Sequence, residues 1–391
     1  MKVARRAHLD PFVVMEMVRA SRERTEAGAD VLHMEVGQPS TGAPTLAIEA
    51  ARRALDAPEQ LGYTDAPGLP SLRRRIAAHH AERHGVVVDP DQVVVTEGAS
   101  LACVLAFLAS FDVGDRVAVC EPGYPCYRQM LRALGCEVVP VPIGQATRYQ
   151  PTPELLDAVG PLDGLVLASP SNPTGTVLSA AEMAALADWA TRTGCRLVSD
   201  EIYHGITFGE PAPTVLAHPT AHPVAVHSFS KYFSMTGWRL GWLVLPPELV
   251  RPVELLAQNL VISAPTLSQL AGEAALDAGD ELDLHVERYR ANRAIVLEGL
   301  ARMGCTDVAP ADGAFYAYAD VSHLLDRQQL PDSVALCEHW LETIDVATTP
   351  GIDFDQVRGS HTMRWSFAGS TATCTEAMRR LVEWSDRRLS A

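Results

Sequence analysis

Residues 228–239 read Ser-Phe-Ser-Lys-Tyr-Phe-Ser-Met-Thr-Gly-Trp-Arg. Lys231 follows the hydroxyls of Ser228 and Ser230, and Arg239 stands eight residues further on. An amine nucleophile beside a place to hold a dianion is what an enzyme needs to carry pyridoxal phosphate as a Schiff base, the lysine meeting the aldehyde while the phosphate is anchored elsewhere. A lysine among serines is more often a solvated surface feature, so the stretch needs company.

That company begins at Thr96-Glu97-Gly98-Ala99-Ser100, a turn of small residues between the apolar run Val93–Val95 and an apolar helix expected over 101–110. The first amides of a buried helix lack internal partners and carry the positive end of its dipole, so such a turn can hold a phosphate. Neither GxGxxG nor GxxxxGK[ST] is present, which disfavours a dinucleotide fold or a P-loop NTPase. Asp200-Glu201 ends another apolar run, and Arg364 interrupts the apolar segment 363–368, where period-2 alternation sets Arg364, Ser366 and Ala368 on one face.

The elements that must position these groups alternate along the chain. Short apolar strands are expected at 117–120, 138–141, 165–168, 196–199, 224–229 and 240–245, with helices near 127–134 and 180–193 between them. This pattern predicts an α/β domain with a largely parallel central sheet covered by helices on both faces. Ligands of such sheets bind at the carboxyl ends of the strands, where Tyr124, Ser169–Gly175, Asp200–Tyr203 and Ser228–Lys231 fall. Apolar residues 286, 289, 296, 300 and 303 recur at helical spacing and predict a long helix leading out of the sheet. A smaller α+β domain is expected from residues 1–45 and 285–391, with 46–284 forming the large domain.

Of 391 residues, 47% are apolar and 20% charged, which suits a folded enzyme and excludes a disordered chain. A net charge of -16 argues against nucleic acid or an anionic membrane as partner. The N-terminus has charges but no apolar run behind them, and residues 101–111 are too few to cross a bilayer, so a soluble cytoplasmic protein is expected. Eight scattered cysteines without a CxxC pair, and no histidine cluster at ligand spacing, indicate no metal site.

Taken together, Asn172-Pro173-Thr174-Gly175, Asp200-Glu201-Ile202-Tyr203, Ser228-Phe229-Ser230-Lys231, Gly237-Trp238-Arg239-Leu240-Gly241 and Arg364-Trp365-Ser366-Phe367 resemble the class I/II aminotransferases of pyridoxal-phosphate fold type I. The likeness runs in order from Gly37-Gln38-Pro39 to Arg364. It implies that Lys231 holds the cofactor as an internal aldimine and then shuttles the proton of the substrate Cα. It further implies that Asp200 pairs with the pyridine nitrogen, that Asn172 and Tyr203 bond the phenolic oxygen, and that Tyr124 stacks on the ring. Gly98, Ala99, Ser100, Ser228 and Arg239 would hold the phosphate, Ser230 would also touch the cofactor, and Tyr63 would reach the phosphate of a neighbouring subunit in a homodimer. Arg364, with Asn172 and a backbone amide of Gly37, would take the substrate α-carboxylate under a mobile roof formed by residues 12–15.

The implied reaction is ping-pong transfer of an amino group between an L-amino acid and a 2-oxo acid. Ser100 stands where an aspartate-using subgroup of the family has a lysine for the distal carboxylate, so a neutral or aromatic donor is expected rather than aspartate. A carbon–sulfur β-lyase on the same scaffold is the alternative, since side-chain placement decides which bond at Cα breaks.

Overall fold

The computed structural model describes residues 1–58 and 61–387. Its first eight strands are β1 (Leu32–His33), β2 (Val93–Thr96), β3 (Arg116–Glu121), β4 (Glu137–Pro142), β5 (Gly164–Ala168), β6 (Arg196–Asp200), β7 (Val224–Ser228) and β8 (Gly241–Val244). Four more follow: β9 (Tyr316–Asp320), β10 (Val346–Ala347), β11 (Thr349–Pro350) and β12 (Thr362–Ser366).

Seven strands form one sheet in the order β2-β8-β7-β6-β5-β3-β4. Only β8 runs against its neighbours, pairing antiparallel with both β2 and β7. Side chains on successive strand residues point to opposite faces, and both faces are dry except along the edge strand β4, where Glu137, Pro140 and Pro142 are exposed. Val94, Val166, Val226 and Leu243 join one core cluster, to which the helix Ala99–Ser110 contributes Ala102 and Phe107. Val93, Leu165, Leu197 and Trp242 face the other cluster, with Leu186 and Trp189 of the helix Ala180–Thr193. Burial on both faces explains why these strands read as continuous apolar runs.

Two smaller sheets bring the chain's ends together. β1 pairs parallel with β10, and β12 lies antiparallel between β11 and β9. Register sets Arg364 opposite Thr349 on one side and Tyr318 on the other. The long helix spans Gly279–Arg302 without a break at residues 284 and 285.

β9 starts only at Tyr316, because Ala314 sits at φ 55° and the chain is still turning there. β1 is confined to Leu32–His33. Residues 12–15, expected as a mobile roof, are Phe12 and the first turn of a helix (Val13–Glu26) that buries the narrow stripe Val14, Met17 and Ser21. Most of its remaining residues are polar, which is why the apolar signal was weak. All eight cysteines are free, and six are buried. Among the described residues no helix is long and apolar enough to cross a membrane.

Candidate active site

A cavity of about 640 Å³ opens at the carboxyl ends of the central strands. It brings together residues that lie as much as 352 positions apart, from Phe12 to Arg364. Ala99 and Ser100 enter it at the start of their helix, Tyr124 follows β3, Asn172 follows β5, Asp200 ends β6 with Tyr203 just beyond, and Ser228, Ser230 and Lys231 come from the end of β7. Arg239 reaches in from the turn before β8. Gly98 lies behind the lining, in contact with Arg239, and Tyr63 stands apart with its residue 84% exposed.

Lys231 Nζ donates to the backbone oxygen of Gly37 at 2.8 Å. It lies 5.6 Å from the centre of the Tyr203 ring. Burial, and then the cation of Arg364, push its pKa down to about 8 despite the opposing charge of Asp200. At pH 7 a lysine with that pKa is a free amine about a tenth of the time, far more than an unperturbed lysine, and the free amine is the form a nucleophile or base needs.

Asp200 is 4% exposed and accepts hydrogen bonds from the Tyr127 hydroxyl on Oδ2 and from the Ile202 amide on Oδ1. Burial outweighs those donors and raises its pKa to about 6. At neutral pH a carboxylate held this way favours a cationic or proton-bearing partner in the cavity.

Arg364 is 3% exposed, with Nη1 donating to Asn172 Oδ1 at 3.0 Å and Nη2 to the Glu35 carbonyl at 2.7 Å. Its guanidinium lies 4.5 Å over the centre of Tyr316, whose hydroxyl is 2.8 Å from that of Tyr203. Nε is buried without a partner. A fork fixed by three neighbours, with one donor still unused, is suited to receive a carboxylate.

The phosphate expectation can be checked on Gly98. Its φ is 81°, and a Cβ there would lie 2.6 Å from Arg239 Nη2. Only glycine lets the turn and the guanidinium approach so closely. Beside them stand the free first amides of the helix Ala99–Ser110 and the hydroxyls of Ser228 and Ser230, the former accepting from the Ser230 amide at 3.0 Å. These donors fit a phosphate monoester, and with Lys231 and Asp200 beyond them the site fits pyridoxal phosphate.

Three participants escaped the sequence reading. Tyr127 lies one helical turn after Tyr124, the two rings meeting edge-on at 5.3 Å, so i,i+3 spacing could have revealed it. Tyr316 begins β9, and nothing in its local sequence marks it as the platform under Arg364. Thr349 accepts from Arg364 Nη2 at 3.3 Å through strand register alone.

A mostly parallel seven-stranded sheet of this order, with its polar cavity along the carboxyl edge, is the fold type I architecture of aspartate aminotransferase-like enzymes. The family model for aminotransferase class I and II matches residues 29–381. A valine–pyruvate aminotransferase of Mycobacterium tuberculosis is 48% identical over 98% of each chain, and an aspartate/prephenate aminotransferase of Thermus thermophilus is 33% identical over 96% of each. The crystal structure of an aminotransferase from Mycobacterium tuberculosis superposes with a TM-score of 0.95 at 48% identity, covering 99% of this chain and 100% of the other. The chain therefore belongs to the class I and II aminotransferases. It is a transferase whose family uses pyridoxal phosphate and acts on amino acids and 2-oxo acids.

Proposed function

We propose that this enzyme moves the amino group of a neutral, aliphatic L-amino acid to a 2-oxo acid in two half-reactions, with Lys231 as the covalent anchor of the cofactor. When bound, pyridoxal phosphate supplies the aldehyde that exchanges amines and the ring that accepts electrons from Cα. Gly98, Ala99, Ser100, Ser228, Ser230 and Arg239 hold its phosphate, Asp200 its ring nitrogen, Asn172 and Tyr203 its ring oxygen, and Tyr124 its face. Arg364 takes the substrate α-carboxylate, with Asn172 and Gly37 beside it, and so fixes the orientation of Cα. Lys231, once free, takes the proton from Cα as general base, a task suited to an amine whose pKa is near 8.

The observation carrying the donor class is the cavity wall on the roof side. Phe12, Val14, Met15, Val18 and Val36 are apolar, and the cations lining the cavity are Lys231, Arg239 and Arg364, each already assigned. A distal carboxylate would meet no cation there, and a branched aliphatic chain would meet only hydrocarbon. The valine–pyruvate name of the 48% identical relative supports the same donor class.

We further propose a cytoplasmic homodimer in which Tyr63 serves the neighbouring subunit's phosphate, consistent with its exposure on its own chain. The division into a large domain of residues 46–284 and a small one of residues 1–45 and 285–391 belongs to the same proposal. The test is the absorbance of the holoenzyme as L-valine, L-aspartate and L-phenylalanine are added singly without oxo acid. Conversion to the pyridoxamine form by L-valine, with release of its 2-oxo acid and reversal by pyruvate, supports the assignment. Release of ammonia and pyruvate from cysteine conjugates, with the aldehyde form retained, would replace it with β-lyase chemistry.

A further inference from the structure

Immediately outside the active-site cavity lies a group of imidazoles that transamination does not use. β6 continues from Asp200 into Glu201, and His227 precedes Ser228 on β7. Because neighbouring strand residues point to opposite faces, Ser228 looks into the cavity while His227 looks away from it. His204, one turn past Glu201, completes the group.

Glu201 is 1% exposed, and among the described residues no lysine or arginine lies within 4 Å of it. Its Oε1 accepts from Ser199 Oγ at 3.1 Å and the Val215 amide at 2.7 Å, and its Oε2 accepts from Thr214 Oγ1 at 2.7 Å. These donors orient the carboxylate but bring no countercharge. His204 Nδ1 and His227 Nε2 each stand 3.5 Å from Oε2. The three ligand atoms lie within 4.8 Å of one another.

The two 3.5 Å separations discriminate between two chemistries, while the remaining pair, within 4.8 Å, closes onto a shared ion only when the rings shift inward. A ring nitrogen hydrogen-bonded to a carboxylate sits at about 2.7–3.2 Å. Ligands 2.0–2.2 Å from a shared tetrahedral ion sit about 3.4 Å apart. His227 is 3% exposed and its Nε2 has no hydrogen-bond partner, although it is aimed at the carboxylate. His84 Nε2, 3.4 Å from His204 Nδ1, is the nearest further donor.

We propose that Glu201, His204 and His227 bind a divalent transition-metal ion, zinc being the type, which ties the turn after β6 to β7 and so steadies the segments that carry Asp200 and Ser228. Two imidazoles and one carboxylate suit zinc and its neighbours, whereas calcium and magnesium require oxygen ligands. None of the three residues lines the active-site cavity, so the ion is structural and takes no part in the transfer. The inference does not depend on which amino acid is the donor.

The experiment is metal analysis of the purified holoenzyme, followed by removal with a chelator and readdition of zinc or cobalt. About one equivalent of metal per chain, a lowered melting temperature after chelation that zinc restores, and a tetrahedral cobalt absorption band to the red of the cofactor's own are expected. His227→Asn and the milder His204→Gln should both abolish the cobalt band, and His204→Gln keeps the measurement interpretable if His227→Asn fails to fold. A metal-free native enzyme whose melting temperature and cobalt spectrum do not respond to added ion overturns the proposal, as does a cobalt band that persists in His204→Gln.

Discussion

Arg364 Nη1 donates to Asn172 Oδ1 at 3.0 Å, joining the middle strand of the three-stranded sheet to the loop after β5 of the seven-stranded sheet. The residue proposed to grip the substrate is thus aligned by one proposed to touch the cofactor. Positioning of the α-carboxylate and positioning of the ring become a single event.

Arg364→Lys tests that link. A lysine keeps the charge but cannot bond Asn172, the Glu35 carbonyl and a carboxylate with one planar fork. We expect kcat/KM for L-valine to fall on the order of a hundredfold, about 3 kcal/mol, mostly through KM. Equal loss toward a primary amine without a carboxylate would show that Arg364 does not bind this group.

Asp200 makes stability depend on pH in the cofactor-free protein. Its folded pKa of about 6 lies above the usual aspartate value, because burial disfavours the charge. The stability it contributes is complete below the unfolded pKa and is lost as pH rises through about 6. Asp200→Asn should remove that loss, gaining on the order of 3 kcal/mol relative to wild type between about pH 4 and pH 7, while activity collapses. Denaturant midpoints of both cofactor-free proteins across that range provide the check; parallel profiles would contradict it.

Tyr127→Phe removes one of the two donors to Asp200. The carboxyl pKa should rise further, and the acid limb of the activity profile should move to higher pH. Cofactor affinity should weaken about tenfold, the value of one hydrogen bond to a charged group. A fluorescence titration with the cofactor measures the second effect, and an unmoved acid limb would count against the first.

Gly98→Ala should cost more at the site than in the fold. The added Cβ meets the far end of the Arg239 side chain and must adopt φ near 81°. Stability should fall by roughly 1–2 kcal/mol, and the displaced guanidinium should weaken cofactor binding by at least tenfold. Retention of full affinity would separate Arg239 from the phosphate.

Tyr63→Phe should leave the monomer fold intact, since its ring is exposed on its own chain. In the proposed dimer it removes one hydroxyl donor from the neighbouring phosphate, and the cofactor dissociation constant should rise about fivefold to tenfold. Sedimentation of the wild type as a monomer at assay concentration would refute that role.

Local chemistry made much of this protein legible in one dimension. Apolar runs of three to six residues marked β2 to β8, most of them because strands buried on both faces have no polar alternation to blur them. Lys231, Asp200 and Asn172 were visible because each follows such a run within four residues, where a parallel sheet presents ligands. What the sequence alone determined is therefore the chemistry at strand ends and the elements that carry it. Tertiary structure decided the partners. Tyr316 lies under Arg364 by packing, and Thr349 meets it through the pairing of β11 with β12. Glu201, His204 and His227 converge because β6 and β7 are hydrogen-bonded neighbours, although the shortest path between His204 and His227 along the chain is 23 residues. Spacing along a chain reports which face a residue takes, but distance between chain segments is set by sheet order and register, which no local pattern encodes.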